Sequence, residues 1–169
     1  MKVILFGSSI ISKWSNFTLK NDDENIVNKG ISGLHTKELL SNKVTEILSM
    51  ETQPNYLIFY CGTNDIVSNV NSLEIVYNLQ KFLQKLTKIL HNTTIIVLSL
   101  LKSPKLVQYG KTNQIDFINS SLRKLSKQYE NIVFININLL LDDKCFLKDC
   151  LHLSRTGYRK INNKIIDLI

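Results

Sequence analysis

Proline is nearly absent from this chain, Pro54 and Pro104 being its only two, and glycine occurs six times in 169 residues. That scarcity excludes collagen-like, proline-rich and glycine-rich low-complexity chains. Cysteine is also sparse. Cys61, Cys145 and Cys150 are odd in number and lack paired spacing, which argues against a disulfide framework or a cysteine zinc site and for reduced thiols. Acidic residues fall short of basic ones, 14 Asp and Glu against 21 Lys and Arg, leaving a formal charge of +7. Such an excess can mark a binder of nucleic acid or of anionic membranes. Here the lysines (Lys81, Lys85, Lys88, Lys124, Lys127, Lys160, Lys164) are spread along the polar sides of amphipathic stretches, without a basic block or interleaved aromatics. A solvated basic surface is therefore expected, and no nucleic-acid partner. Long apolar runs are missing too. Runs such as Ile95 to Leu98 fall far short of the roughly 20 residues a membrane span needs, so no membrane insertion is expected. Only Met1 and Lys2 precede the first apolar run, which suggests no signal peptide and a cytoplasmic location. On that expectation the sequons at Asn16, Asn92 and Asn119 carry no meaning.

What is present is a regular alternation of apolar runs and amphipathic stretches. A chain of this length suits one domain, here residues 1–169, burying roughly two thirds of its unfolded surface. Val3 to Phe6 reads as a buried strand, Asn25 to Asn28 as a short second one, and Tyr56 to Tyr60 as a central one. Thr94 to Leu100 and Ile132 to Ile135 complete a set of five. Between them lie helical patterns. Thr36 can cap one carrying Leu39, Leu40, Val44, Ile47 and Leu48, and Asn71 with Glu74 resembles a capping box before Val76, Leu79, Leu83, Leu86 and Leu90. Ile115, Ile118, Leu122, Leu125 and Tyr129 mark the next, and Ser154 can cap a last one carrying Tyr158, Ile161, Ile165 and Leu168. Pro104 and Gly110 bracket a loop. Strands alternating with helices imply a five-stranded parallel sheet covered on both faces, an α/β/α three-layer sandwich of flavodoxin-like type.

In such a sheet the loops after the strands share one rim, where ligands bind. Four of those loops, after the first, second, third and fifth strands, carry polar residues that either serve chemistry or are turns and helix caps. After the first strand come Ser8 and Ser9, either of which could be a nucleophile or simply a turn. Asp149-Cys150-Leu151-His152 places a carboxylate where it can hold the imidazole Nδ1–H and leave Nε2 free as a base. Asn64, in Cys61-Gly62-Thr63-Asn64-Asp65, can point its amide at a developing oxyanion. Gly33, in Asn28-Lys29-Gly30-Ile31-Ser32-Gly33, can bring a backbone N–H close to a substrate.

Together, Phe-Gly-Ser-Ser-Ile, Asn-Lys-Gly-Ile-Ser-Gly, Tyr-Cys-Gly-Thr-Asn-Asp and Asp-Cys-Leu-His-Leu-Ser-Arg-Thr-Gly-Tyr resemble the four signature blocks of the SGNH (GDSL-like) hydrolases, in order, over residues 3–158. The resemblance implies Ser9 as nucleophile, Asp149 and His152 as acid and base, and an oxyanion hole of Ser9, Gly33 and Asn64. It implies esterases, lipases, thioesterases or carbohydrate O-deacetylases that need no metal or other cofactor. No Gly-x-Ser-x-Gly elbow surrounds Ser9, which disfavours the α/β-hydrolase fold.

Two positions depart from the family pattern. Ser8 stands where an aspartate is usual, and we expect it to be a supporting hydrogen-bonding group. Cys150 lies between acid and base, where we expect a packing residue. His35 and His91 are expected at the surface or in caps, and Trp14 packed over the first loop. Asp65 to Val70 and Leu101 to Thr112, with Pro104 and Tyr109, are expected to line the rim. No inserted lid or apolar tunnel is legible, so the expected substrate is a small-molecule or carbohydrate ester of a short acyl group such as O-acetyl. A thioesterase or lysophospholipase is the enzymatic alternative, and an acyltransferase or a catalytically silent binding module is another.

Overall fold

The computed structural model describes residues 1–19, 25–41 and 53–169. Five strands, β1 (Val3–Gly7), β2 (Ile26–Gly30), β3 (Tyr56–Tyr60), β4 (Thr94–Leu98) and β5 (Ile132–Ile135), form one sheet in the order β2-β1-β3-β4-β5. Every pairing is parallel. The order reverses between β1 and β3, and in an open parallel sheet the crevice at that reversal is where a ligand sits. The helices among the described residues are α1 (Ser9–Ser12), α2 (Thr63–Val67), α3 (Ser72–Ile89), α4 (Pro104–Gln108), α5 (Thr112–Ser126) and α6 (Arg155–Ile166).

Both sheet faces are covered, which is why β1, β3 and β4 carry nearly unbroken apolar runs. On one face Phe6 and Phe59, paired in register, meet Phe82 of α3 with ring centroids 5.9 and 5.2 Å away. Removing a ring buried this fully costs about 3–5 kcal/mol. The apolar stripe of α3 (Ile75, Leu79, Phe82, Leu83, Leu86) faces this core, and Asn71 caps the helix by accepting from Leu73 N–H at 2.8 Å. On the other face α6 packs against α1. Trp14 lies between Phe17 and Tyr158, at 5.3 Å from each, and the Tyr158 hydroxyl donates to the Ile10 carbonyl at 2.8 Å.

Several local expectations shift. β2 runs on to Gly30, because Gly7 and Gly30 keep the β1 register although Asn28 and Lys29 give no apolar signal. β4 stops at Leu98; Ser99 N–H still donates to Ile135 O at 2.9 Å, and Ser99 Oγ accepts from Ile137 N–H and Asn138 as the chain leaves the sheet. Residues 104–108 are helical rather than loop. Ser103 accepts from Leu106 N–H, and Pro104 occupies the first turn, where its missing N–H costs nothing. Thr36 does not cap a helix: His35 precedes a 3-10 turn over Thr36–Leu40, and its N–H donates to Glu38 at 2.7 Å. Val44, Ile47 and Leu48 lie outside the described residues.

Candidate active site

The site is built at the reversal point. β1 ends at Gly7, whose φ is +148°, and a Cβ there would lie 1.9 Å from the Tyr60 carbonyl oxygen. Glycine therefore lets β1 close on β3, and Ser8 N–H donates to that same oxygen at 2.9 Å. The chain then turns at once into α1, with Ser9 as its first residue. Ser8 differs from expectation. Its carbonyl accepts from the N–H groups of Ile11 and Ser12, but its hydroxyl is fully buried and has no hydrogen-bond partner among the described residues. Ser8 thus supports the turn through its backbone, and its side chain adds no bond.

Across the rim the other polar group comes from a turn pinned at several points. Phe146 bridges to Leu153, Leu147 N–H donates to His152 O at 2.8 Å, and Lys105 N–H of α4 donates to Cys150 O at 3.0 Å. Within it Asp149 Oδ1 accepts from the N–H groups of Leu151 and His152, each at 3.0 Å, and Oδ2 lies 2.6 Å from His152 Nδ1. His152 Nε2 lies 3.2 Å from Ser9 Oγ. A single chain of contacts thus runs from Asp149 through His152 to Ser9, residues 143 apart in sequence at its last link. Burial opposes ionisation of Asp149, but the His152 ring, the two N–H donors and the imidazole charge outweigh it. Its carboxyl is held well below the usual carboxylate range.

Cys150 is exposed, not packed. Its φ of +57° folds the following N–H groups back onto Asp149, and the same left-handed conformation turns its side chain out of the protein. Cys61 is buried. Burial pushes its thiol well above the ordinary value, which leaves it inert as a nucleophile. Cys145 is buried as well, and all three cysteines are free.

Asn64, near the start of α2, commits one amide hydrogen to the Leu34 carbonyl at 2.9 Å. That bond fixes the amide plane and leaves the second hydrogen free. Gly33, one residue before Leu34, has φ +80° and open space where a Cβ would be. Neither the Ser9 nor the Gly33 N–H donates to another described residue. Three N–H donors, two from backbone and one from a side chain, are thus presented by the loops after β1, β2 and β3.

What holds the Gly33 loop is a group the sequence places elsewhere. Asp65, expected on the rim, is 1% exposed. Both its oxygens accept from Thr36 N–H, at 3.1 and 3.0 Å, and Oδ1 also accepts from the Thr36 hydroxyl at 2.7 Å. Asn78 of α3 donates to that hydroxyl at 3.2 Å. The legible signal was Asn78 itself, a polar residue on the apolar stripe between Ile75 and Phe82. Beside the network the Tyr60 hydroxyl pairs with Thr63 Oγ1 at 2.5 Å and accepts from Leu101 N–H at 3.3 Å. Burial raises that phenol to about 12, so it stays protonated.

His35 and His91 take no part in the Asp149–His152–Ser9 chain. His35 Nδ1 lies 3.7 Å from Asp65 Oδ1 at the loop edge, and His91 is on the surface. No group of three or more His, Cys, Asp or Glu among the described residues could hold a metal ion. No described helix is long and apolar enough to cross a membrane.

A hydroxyl, an imidazole and a carboxylate in hydrogen-bond contact in that order are parts that acyl transfer uses. The chain matches the model of the GDSL-like lipase/acylhydrolase family over residues 6–160 and belongs to that family. It is 27% identical over 174 residues to the N-acylneuraminate cytidylyltransferase of Escherichia coli O18:K1:H7 (strain RS218 / NMEC), an alignment covering 99% of this chain and 40% of that protein. The chain thus spans about two fifths of that curated relative. Among solved structures it superposes with TM-score 0.84 on a Streptococcus pneumonia protein provisionally described as a platelet activating factor, at 25% identity over 99% of this chain and 83% of that one. It shares its fold, at TM-score 0.76 and 15% identity, with a catalytic mutant of Axe2, an acetylxylan esterase from Geobacillus stearothermophilus, covering 98% of this chain and 93% of that chain.

Proposed function

We propose that this acylhydrolase is a serine esterase that removes a short acyl group, acetyl in the first instance, from a sugar or similar alcohol. The observation that carries the reading is the Asp149–His152–Ser9 chain of contacts at 2.6 and 3.2 Å. His152 Nε2 takes the proton of Ser9 Oγ as the oxygen attacks the ester carbonyl. Asp149, kept ionised, holds Nδ1–H in place and stabilises the imidazolium. The carbonyl oxygen becomes an oxyanion that accepts from Ser9 N–H, Gly33 N–H and the free Asn64 amide hydrogen. Collapse breaks the bond to the alcohol oxygen, which leaves with the proton from Nε2, and the acyl group stays on Ser9. Water, giving its proton to the same nitrogen, then attacks the acyl-enzyme and releases the acid.

The relatives support a sugar as the alcohol. One is named for its action on an acylated sugar, an N-acylneuraminate, and another for its action on acetylated xylan. Turnover of p-nitrophenyl esters from two to twelve carbons tests the acyl part. The reading expects kcat/KM to be highest for acetate or butyrate, and a preference for chains of eight carbons or more contradicts it.

A further inference from the structure

The mechanism leaves one conspicuous surface unused. Behind the catalytic turn a groove runs down the face shared by α1 and α6, in two cavities of about 440 and 460 Å³ that share Asn16 and Arg155. Lys13, Arg155 and Arg159 contribute its charges, and no acidic residue lines either cavity. None of the three cations has a carboxylate within ion-pair distance among the described residues. Lys160 is paired with Asp142 at 2.8 Å and Lys102 with Asp116 at 2.7 Å.

The groove is anchored to the reacting groups. Lys13 N–H donates to Ser9 O at 3.0 Å, so Lys13 sits one helical turn, about 6 Å, along the chain from the nucleophile. Leu147 and Leu153, which line its upper cavity, flank the turn that carries His152. Its wall is firm: Asn162 of α6 donates to Thr18 O and accepts from Thr18 N–H, both at 3.2 Å. The direction also follows from the chemistry. The acyl oxygen must face Gly33 and Asn64, whereas the departing alkoxide must lie beside His152 Nε2, the atom that protonates it. The alcohol portion of the ester therefore lies on the His152 side of Ser9, beside the turn whose flanking residues Leu147 and Leu153 line the groove's upper cavity.

We propose that the Lys13–Arg155–Arg159 groove is a subsite for an anionic group, carboxylate or phosphate, on the alcohol portion of the substrate. This deepens the esterase reading and rests on it: the enzyme deacylates esters of acidic sugars in preference to neutral ones. Guanidinium groups pair with carboxylate and phosphate through parallel hydrogen bonds, and unpaired cations on a concave wall lose no existing partner when such an anion arrives.

The test is a matched series: acetyl esters of methyl glucoside, of methyl glucuronoside and of methyl glucoside 6-phosphate, with p-nitrophenyl acetate as the uncharged reference. One charge-assisted contact corresponds to about tenfold, so the wild-type protein should favour one or both acidic sugars over the neutral sugar by about that factor in kcat/KM, mainly through KM. Whichever acid is favoured identifies the anion. Raising the salt concentration should narrow the gap, and the Arg155→Ala/Arg159→Ala double variant should abolish it while p-nitrophenyl acetate turnover stays unchanged. Lys13→Ala should reduce the gap on its own. Equal kcat/KM for the three sugars, or a preference that survives the double variant, overturns the subsite and leaves the esterase standing. Absence of Ser9-dependent p-nitrophenyl acetate turnover overturns the esterase reading and the subsite with it.

Discussion

Asp65→Asn separates positioning from mere packing. The native carboxylate accepts three contacts from Thr36 and sits beneath the loop that presents Gly33, next in sequence to Asn64. An amide of the same shape keeps one acceptor oxygen and turns the other into a donor facing a Thr36 donor. Hydrogen bonds to a charged group are worth about 1.5–3 kcal/mol, and a buried unsatisfied donor costs about 1–3 kcal/mol. A stability loss of about 2 kcal/mol is therefore expected, or about 4–8 °C in Tm for a chain of this size. The loop would also relax from Asp65, and displacing an oxyanion donor by about 1 Å costs up to a hundredfold in rate. Steady-state kinetics on p-nitrophenyl acetate well below the lowered Tm should show kcat reduced ten- to a hundredfold with KM nearly unchanged. Thr36→Val, which removes the hydroxyl's contacts with Asp65 and Asn78 but keeps the Thr36 N–H contacts, should fall between wild type and Asp65→Asn. A variant with lower Tm but wild-type kcat would refute the reasoning and leave Asp65 a purely structural acid.

Asn64→Ala removes the one side-chain donor of the proposed oxyanion hole, and kcat should fall by 10² to 10³, about 3 kcal/mol, with little change in KM. Gly7→Ala puts a methyl group against the Tyr60 carbonyl at a φ of +148°, so β1 and β3 must separate. Expression as insoluble protein or a fall in Tm of more than about 5 °C should follow, read by thermal denaturation. Asp149 has a lowered folded value, so its ionised form stabilises the fold above the unfolded carboxyl value of about 4, and that contribution is lost as pH falls through the lowered value. Acid unfolding of Asp149→Asn, followed by circular dichroism, should accordingly depend less steeply on pH below about 4 than that of the wild type.

The sheet and the long helices were legible because burial on both faces leaves its mark on composition. Val3 to Phe6, Tyr56 to Tyr60 and Ile132 to Ile135 could be little else than strands, and α3, α5 and α6 repeat their apolar residues at helical spacing. Ser9, Gly33, Asn64, Asp149 and His152 could be picked out because each follows closely on the end of a strand or stands in the turn before the last helix, and their short surrounding motifs resemble the family's signature blocks. Other features depended on contacts that no local pattern records. The extension of β2 through Lys29 is a matter of register with β1. The α4 helix was masked by reading Pro104 as a breaker rather than as a first-turn residue after the Ser103 cap. Asp65 resembled a polar rim residue, since its burial depends on Thr36, 29 positions away. Cys150 resembled filler because nothing in its neighbours announces a left-handed φ. The groove of Lys13, Arg155 and Arg159 was dissolved in the net charge, and only the packing of residues 13–18 along α6 collects those cations.

The central claim is that Ser9, and not its buried neighbour Ser8 or the exposed Cys150, is the nucleophile. A fluorophosphonate reacts with an activated serine to leave a stable adduct whose mass and position can be read by peptide mass spectrometry. One adduct per chain is expected, on the Ser9 peptide, abolished by Ser9→Ala and by His152→Ala but retained by Ser8→Ala and Cys150→Ala. Labelling that persists in Ser9→Ala, or that maps to another residue, would contradict the account.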